Sequence, residues 1–452
     1  MKGYNEYKDV ELPWLKKIPV SWKLLRNKNV FEEKKELVGN RQEEFDLLSL
    51  TKKGIIIRDV SSGKGKFPKD FETYKVVQSG DIIFCFFDVD ETPRTVGLSK
   101  YNGMITGAYN VFDICNVVPE YVLYYNMAID NIKGYKPLYS GLRKVIPLQA
   151  FFATKMPVPS KPEQDKIVQF LDWKTSEMNR FIHQKKKQIK LLEELKLSII
   201  DKAVTKGIDN VELKYSGHTW IGDIPKHWNM EYSKHFFFLR KDKAFKGDEQ
   251  LTSSQQYGII SQKKYMELEN RRVTVVMTGD DILKHVEAGD FVISMRSFQG
   301  GIEYSTLSGK ISSAYVMLIP NHKFVNNEYY KWLFKSQSYI KALQGTSDLV
   351  RDGQALRYSN FAKVYLPNIP LDEQQRIADY LNEKTPQIDK AISEINKEIT
   401  LVEELRTKLI SDVVTGQVDV RYVKIPIYEA ETDIIDSEED SDEENIDESM
   451  EE

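Results

Sequence analysis

The sequence predicts a mixed α/β (α+β) fold: two strand-rich domains joined and spaced by two long antiparallel coiled-coil helices, forming a pseudo-two-fold internal repeat. Three observations predict it. The segment Trp14-x3-Ile18-Pro19-x2-Trp22 recurs as Trp220-x3-Ile224-Pro225-x2-Trp228. A longer block, Glu163 to Thr205, recurs as Glu373 to Thr415 with 16 identities in 43 positions. The text between these blocks is rich in Tyr, Phe, Ile and Val and punctuated by Gly-Asp turns, the composition of strands. At 452 residues the chain has room for two or three domains, and a repeat on this scale fixes their number before any finer reading.

The elements follow in order. Residues 1–160 form the first strand-rich domain, with Gly80-Asp81 leading into the apolar run Ile82 to Phe87. Residues 161–206 form the first spacer helix, opened by Pro162 and closed by Gly207. Its apolar residues Leu171, Met178, Leu192 and Ile199, with Ile182 and Ile189 between them, keep a seven-residue spacing that Lys185 interrupts. Residues 207–370 form the second domain, where Gly289-Asp290 leads into Phe291 to Met295 and Ser313-Ala314-Tyr315 matches Gly107-Ala108-Tyr109. The two domains therefore share a plan but match poorly elsewhere, which predicts similar helices carrying dissimilar domains. Residues 371–416 form the second spacer helix, from Asp372 to Gly416, with Leu381, Ile388, Ile395, Val402 and Leu409 seven apart and Ile392 and Ile399 between. Such a stripe is a coiled-coil seam, and each helix would run to roughly 60 Å at 1.5 Å per residue. Lys185-Lys186-Lys187 and Glu193-Glu194 are expected on the outer faces. Residues 417–428 form a C-terminal extension, and 429–452 an acidic tail expected to be disordered.

Charge divides the chain. The tail holds 14 of the 68 acidic residues and none of the 64 basic ones, so residues 1–428 carry a surplus of 10 positive charges. A basic body suits a polyanionic partner. The two cysteines, Cys85 and Cys115, lie in apolar text without CxxC spacing, which fits neither a zinc site nor a disulfide scaffold. No apolar run has the length of a signal peptide or membrane span, so the expectation is a soluble, cytoplasmic protein with no membrane partner.

In this order and twice over, the Trp-x3-Ile-Pro-x2-Trp segments, the helix starts Pro157-x-Pro159-x3-Glu163-Gln164 and Pro367 to Gln374, and the helix ends Val204-Thr205 and Val414-Thr415-Gly416 resemble the DNA-specificity subunit of type I restriction-modification enzymes. The resemblance covers nearly the whole chain except the acidic tail. It implies two target-recognition domains, each reading one half of a split sequence in double-stranded DNA, with the paired helices as a ruler between the halves. It implies two methyltransferase (modification) subunits as partners, which would bring S-adenosylmethionine, and a motor nuclease (restriction) subunit. This chain itself would bind no cofactor. Independently of the family, two similar domains on antiparallel helices match the two-fold symmetry of duplex DNA, and their divergence predicts an asymmetric, bipartite target.

Base edges in the major groove are read by Arg at guanine and by Asn or Gln at adenine. In the first domain the polar run Asp88 to Thr95 leaves a strand, with Arg94 and Thr95 as candidate contacts. In the second, Ser294 to Gly301 holds the corresponding place, with Arg296, Ser297 and Gln299 as candidates beside the paired glycines. A further matched pair of loops offers Lys52 and Lys53 in the first domain and Ser254, Gln255, Gln256 and Tyr257 in the second. Phosphate contacts would fall to these lysines and to Lys64, Lys66, Lys241, Lys243, Lys246, Lys263 and Lys264.

The motifs of catalysis are missing. There is no Asn/Asp-Pro-Pro-Phe/Tyr box, Ser62-Gly63-Lys64-Gly65-Lys66 lacks the spacing of a phosphate-binding loop, and the six histidines show no metal-ligand spacing. The expectation is a non-catalytic subunit without a metal. The rival readings are a duplicated coiled-coil scaffold that never touches DNA, and a fused nuclease, for which no carboxylate cluster is found.

Overall fold

The computed structural model of the chain describes residues 2–58, 71–140, 144–254, 257–270, 282–294, 302–346 and 357–428. They divide into two compact units, one within Met1–Lys186 and Asn396–Glu452, the other within Lys187–Ile395. The two long helices, Lys161–Lys206 and Leu371–Val414, each contribute to both. The division therefore falls inside the helices and not at their ends.

The first unit is built on an antiparallel sheet in the order Phe31–Lys34, Asn110–Ile114, Ile82–Phe84, Val96–Leu98. Alternation along its strands sorts side chains into two layers. Ile82, Phe84 and Phe112 face the helix Pro119–Asn131 and the ring of Phe151, while Ile83, Cys85 and Val111 face Leu48, Ile55, Val77 and Ile105 from two smaller two-stranded pairs. Trp22 and Ile18, from the repeated Trp-Ile-Pro-Trp segment, are fully buried in the larger core. The extension 417–428 belongs to this unit: Val420 is buried in the same core, the Asp419 amide donates to the Lys2 carbonyl at 2.9 Å, and the Arg421 guanidinium lies 4.8 Å from the Tyr4 ring centroid.

The second unit repeats this plan. Its sheet runs Phe237–Leu239, Tyr315–Pro320, Phe291–Ser294, Glu303–Tyr304, with Phe237, Phe291 and Ile293 against the helix Asn327–Leu333 and Val292 and Met317 against Leu251, Val286 and Ile311. Turn chemistry is copied as well. Asp81 is held by Lys34 Nζ at 2.8 Å, and Asp290 by Arg240 Nε at 2.5 Å; their turns accept from and donate to Ser99 and Ser305 respectively. A Cβ on Gly103 would lie 2.4 Å from the Asp46 carbonyl oxygen, and one on Gly309 2.5 Å from that of Glu249, so glycine is required at both places. The shared plan expected from the matched Gly-Asp and Ala-Tyr places thus extends to strand order and turns, which depend on a few backbone-fitting residues, while the remaining text differs.

The helices pair antiparallel within each unit. In the first, Arg406 Nη1 donates to Asn179 Oδ1 at 2.6 Å and Lys185 Nζ meets Glu398 at 2.6 Å. In the second, Lys196 Nζ meets Asp389 at 2.6 Å, and Ile200, Ala203 and Val204 share a core with Ile377, Ala378 and Leu381. Lys185, expected on an outer face, is thus turned to the facing helix, where a glutamate compensates its place in the apolar seam. Pro386 stands inside the second helix, where it removes the backbone donor that would bond the Asn382 carbonyl.

The repeated Glu-Gln pair explains why these blocks look alike. Gln164 accepts from the Val118 amide at 2.9 Å and donates to the Pro159 carbonyl at 2.9 Å, tying the start of the helix Pro119–Asn131 to the long helix. Gln374 does the same for the second unit, accepting from the Asn326 amide at 2.8 Å and donating to the Phe324 and Ile369 carbonyls, each at 2.8 Å. Among the described residues no helix is long and apolar enough to cross a membrane.

Candidate nucleic-acid interface

Each unit projects a tight hairpin from its smaller layer. In the first unit, strands Leu48–Thr51 and Gly54–Ile57 pair antiparallel, and the Thr51 hydroxyl closes the tip by accepting from the Lys53 amide at 3.2 Å and donating to the Gly54 carbonyl at 3.0 Å. Lys52 and Lys53 stand exposed at that tip. In the second unit, strands Leu251–Ser254 and Gly258–Ser261 form the matching hairpin. Ser254 and Tyr257 flank its tip, the Tyr257 amide donating to Ser254 Oγ at 3.4 Å and its ring meeting Tyr265 edge-on at 6.4 Å. Gln255 and Gln256 lie outside the described residues.

Lys246 is exposed on a turn held by Asp248, whose carboxylate accepts from the Phe245 amide at 2.9 Å and meets His285 Nδ1 at 2.8 Å. Lys241, Lys243, Lys263 and Lys264 are also exposed, so the second unit presents lysines along the turn and the short helix Gln262–Glu269 next to its hairpin. Lys64 and Lys66 lie outside the described residues, as do Arg296, Ser297 and Gln299.

The run from Asp88 to Thr95 is a packed corner. Asp90 accepts from the Tyr139 hydroxyl at 2.8 Å and meets Lys136 at 3.3 Å, Lys144 pairs with Glu91, and Lys133 Nζ donates to the Thr92 carbonyl at 2.7 Å. These partners hold the Asp90 carboxyl below the usual carboxylate range, the Tyr139 hydrogen bond contributing most. Thr95 is 1% exposed and its amide donates to Asp130 Oδ2 at 2.9 Å. That corrects its assignment as a base contact: its side chain is enclosed in the fold and presents no surface to a groove. Arg94 is partly buried, with Nη1 enclosed and without a hydrogen-bond partner, and burial pushes its guanidinium below the ordinary value while Asp130 opposes the shift. Arg94 is therefore turned into the unit, beside the positive charge of Arg406.

Sequence reasoning missed Lys75 and Lys284. They open the equivalent strands Lys75–Val77 and Lys284–Val286, and each ammonium donates to a tyrosine carbonyl, Tyr109 at 2.5 Å and Tyr315 at 2.7 Å. The matched Ala-Tyr dipeptides were the available signal; nothing local marked the lysines. Among the described residues no group of three or more His, Cys, Asp or Glu is placed to hold a metal ion. His285 sits between Asp248 and Glu287, and His227 beside Glu373, both as structural hydrogen-bond partners.

No family model matches the sequence. Solved structures do match the fold. A chain from a structure on complex assembly and conformational transition of the type I R-M system aligns with 89% of this chain and 99% of its own length, at a TM-score of 0.61 and 14% identity. The HsdS subunit of Thermoanaerobacter tengcongensis aligns at 15% identity over 89% of this chain and 98% of its own, with a TM-score of 0.46. The S subunit of a type I restriction-modification system from M. genitalium aligns at 11% identity over 91% and 99%, with a TM-score of 0.34. The first of these matches shows that the mixed helix-and-strand fold with long helices is shared with a chain of a type I R-M system.

Proposed function

We propose that this chain is the non-catalytic specificity subunit of a type I restriction-modification complex, each unit reading one half of an asymmetric, bipartite sequence in duplex DNA. The observation that carries the reading is the duplicated unit: the same sheet order and the same hairpin, with different polar residues at its end, Lys52 and Lys53 in one and Ser254 and Tyr257 in the other. A common frame with different tips suits two half-sites of different sequence. The remaining candidates for contact are Lys246, Gln255, Gln256, Arg296, Ser297 and Gln299.

Recruitment of partners has its own support. Leu191 and Leu195 are 56% and 49% exposed, and their counterparts in the repeat, Leu401 and Leu405, are 63% and 54% exposed. Leucines four apart share one helix face, and each unit carries one such pair beside paired glutamates. Two like apolar patches suit two like partners, which on this reading are the methyltransferase subunits that bring S-adenosylmethionine; the motor nuclease would join the assembled complex. The test is duplex binding by the chain reconstituted with those subunits. The reading predicts a steep fall of affinity with salt, because neutralised phosphates release counterions. Assembly with partners but no duplex binding would leave the scaffold reading in its place.

A further inference from the structure

We propose that Lys75 and Lys284 are a matched pair of DNA-backbone anchors, one in each unit, each gripping a phosphate through the ammonium donors that its tyrosine carbonyl leaves free. This rests on the DNA-binding reading above and adds residues to it.

The two lysines hold the same place in both folds. Lys75 faces Ile105 and Lys284 faces Ile311 at the start of equivalent two-stranded pairs, and the Nζ atoms reach Tyr109 and Tyr315 in equivalent turns. Their neighbours differ, Val76 in one case and His285 in the other, so the lysine is kept where the surrounding text has diverged. An ammonium has three donors. One is used by the tyrosine carbonyl, and among the described residues neither lysine makes an ion pair.

The surroundings raise the cost of these charges. Both side chains are partly enclosed, and burial lowers both ammonium groups below their ordinary value. Lys243 adds a like charge beside Lys284; beside Lys75 the charge of Glu33 outweighs that of Lys35, so burial alone accounts for the lowering there. A neutral donor would satisfy the tyrosine carbonyl without that penalty. A phosphate oxygen supplies acceptors for the two remaining donors of each ammonium and, beside Lys284, the negative charge that the Lys284–Lys243 pair lacks. Such contacts fix register on the duplex without reading sequence, which suits a residue held in common by two units that read different half-sites.

The experiment uses the complex reconstituted with methyltransferase subunits and a duplex carrying its methylated motif. K75M and K284M are each expected to weaken binding several-fold and to flatten the slope of log affinity against log salt by about one, and the double variant by about two. K75R and K284R, which keep the charge, should retain the slope. A loss of affinity with the slope unchanged would assign the lysines a structural role and overturn the proposal, as would unchanged affinity. Lysine acetylation of the wild-type complex, read by mass spectrometry, covers the case of a misfolded variant. Both lysines should be labelled in the free complex and protected by the duplex but not by inorganic phosphate at the same phosphate concentration; absence of duplex protection overturns the proposal. A wild-type complex that binds no duplex would overturn the specificity reading along with it, whereas steep salt dependence with unaffected variants would overturn this inference alone.

Discussion

The indole Nε1 of Trp22 donates to Oε1 of Glu163 at 3.0 Å, joining the repeated Trp-Ile-Pro-Trp segment to the first turn of the first long helix. Tyr4 donates its hydroxyl to the same oxygen at 2.6 Å. A carboxylate at a helix N-terminus is favoured by the helix dipole, and here it also satisfies two enclosed donors, so Glu163 is only 8% exposed. Burial, followed by the hydrogen bond to Glu163, pushes the Tyr4 hydroxyl far above its ordinary value and keeps it a donor.

Replacing Glu163 with Ala strands both donors. The expected loss is about 2–4 kcal/mol, from two unsatisfied buried groups at about 1–3 kcal/mol each with partial relaxation. E163Q, which keeps an acceptor, should lose clearly less. Chemical denaturation of the two variants, followed by tryptophan fluorescence, checks the order.

The helix-ending glycines are expected to differ. Gly416 has φ +74° and a Cβ there would lie 2.4 Å from Pro19 Cδ; Gly207 has φ +73° but meets nothing nearer than 3.5 Å. G207A should cost about 1–2 kcal/mol for the left-handed backbone alone, while G416A adds a steric clash and should cost more. Equal melting temperatures for the two variants would contradict this account of the first unit.

His285 makes the second unit sensitive to pH. Burial lowers its pKa, but hydrogen bonds to Glu287 and Asp248 and the charges of both raise it above 6.5 overall. A histidine whose folded pKa is raised contributes stability that is complete below 6.5 and is lost as pH rises through the folded value. Glu287, lowered chiefly by its bond to His285, contributes in the opposite sense, with stability present above 4.5 and lost as pH falls. The pair therefore stabilises best between these values. Thermal melts from pH 5.5 to 8.5 should show a decline that H285Q abolishes.

Substituting the exposed leucines separates assembly from folding. L191E with L195E, or L401E with L405E, should leave the melting temperature of the isolated chain nearly unchanged, since surface substitutions cost little. Each double variant should lose one methyltransferase subunit, as read by the mass of the complex. Retention of full stoichiometry by both would remove these faces from the partner interface.

Much of this fold was legible because repetition marks it. The Trp-Ile-Pro-Trp segments, the Glu-Gln helix starts and the seven-residue apolar stripe recur in sequence; Ile18, Trp22, Ile224 and Trp228 are buried, Gln164 and Gln374 hold the helix starts, and the stripe is buried at Leu171, Ile182, Leu381, Ile395, Ile399 and Leu409 and half-buried elsewhere. The segments Leu50 to Gly54 and Ser253 to Gly258 were legible as a matched pair of loops, and the strands on either side of each pair antiparallel. What escaped depends on partners distant in the chain. Gly103 is fixed by the Asp46 carbonyl, Lys75 by the Tyr109 carbonyl, and Arg94 is turned inward in a corner that Tyr139, Lys136 and Lys144 hold from far along the sequence. Local polarity suggested an exposed loop there, and tertiary hydrogen bonds decided otherwise.

The most direct test of the central claim is to sequence the methylated positions in DNA from cells carrying this chain and a matching methyltransferase, alongside a chimera in which residues 229–370 are exchanged for the equivalent domain of another such subunit. The specificity reading predicts an asymmetric bipartite motif for the native chain, and a chimera in which one half of the motif changes and the other is kept. An unchanged motif, or changes spread over both halves, would contradict it.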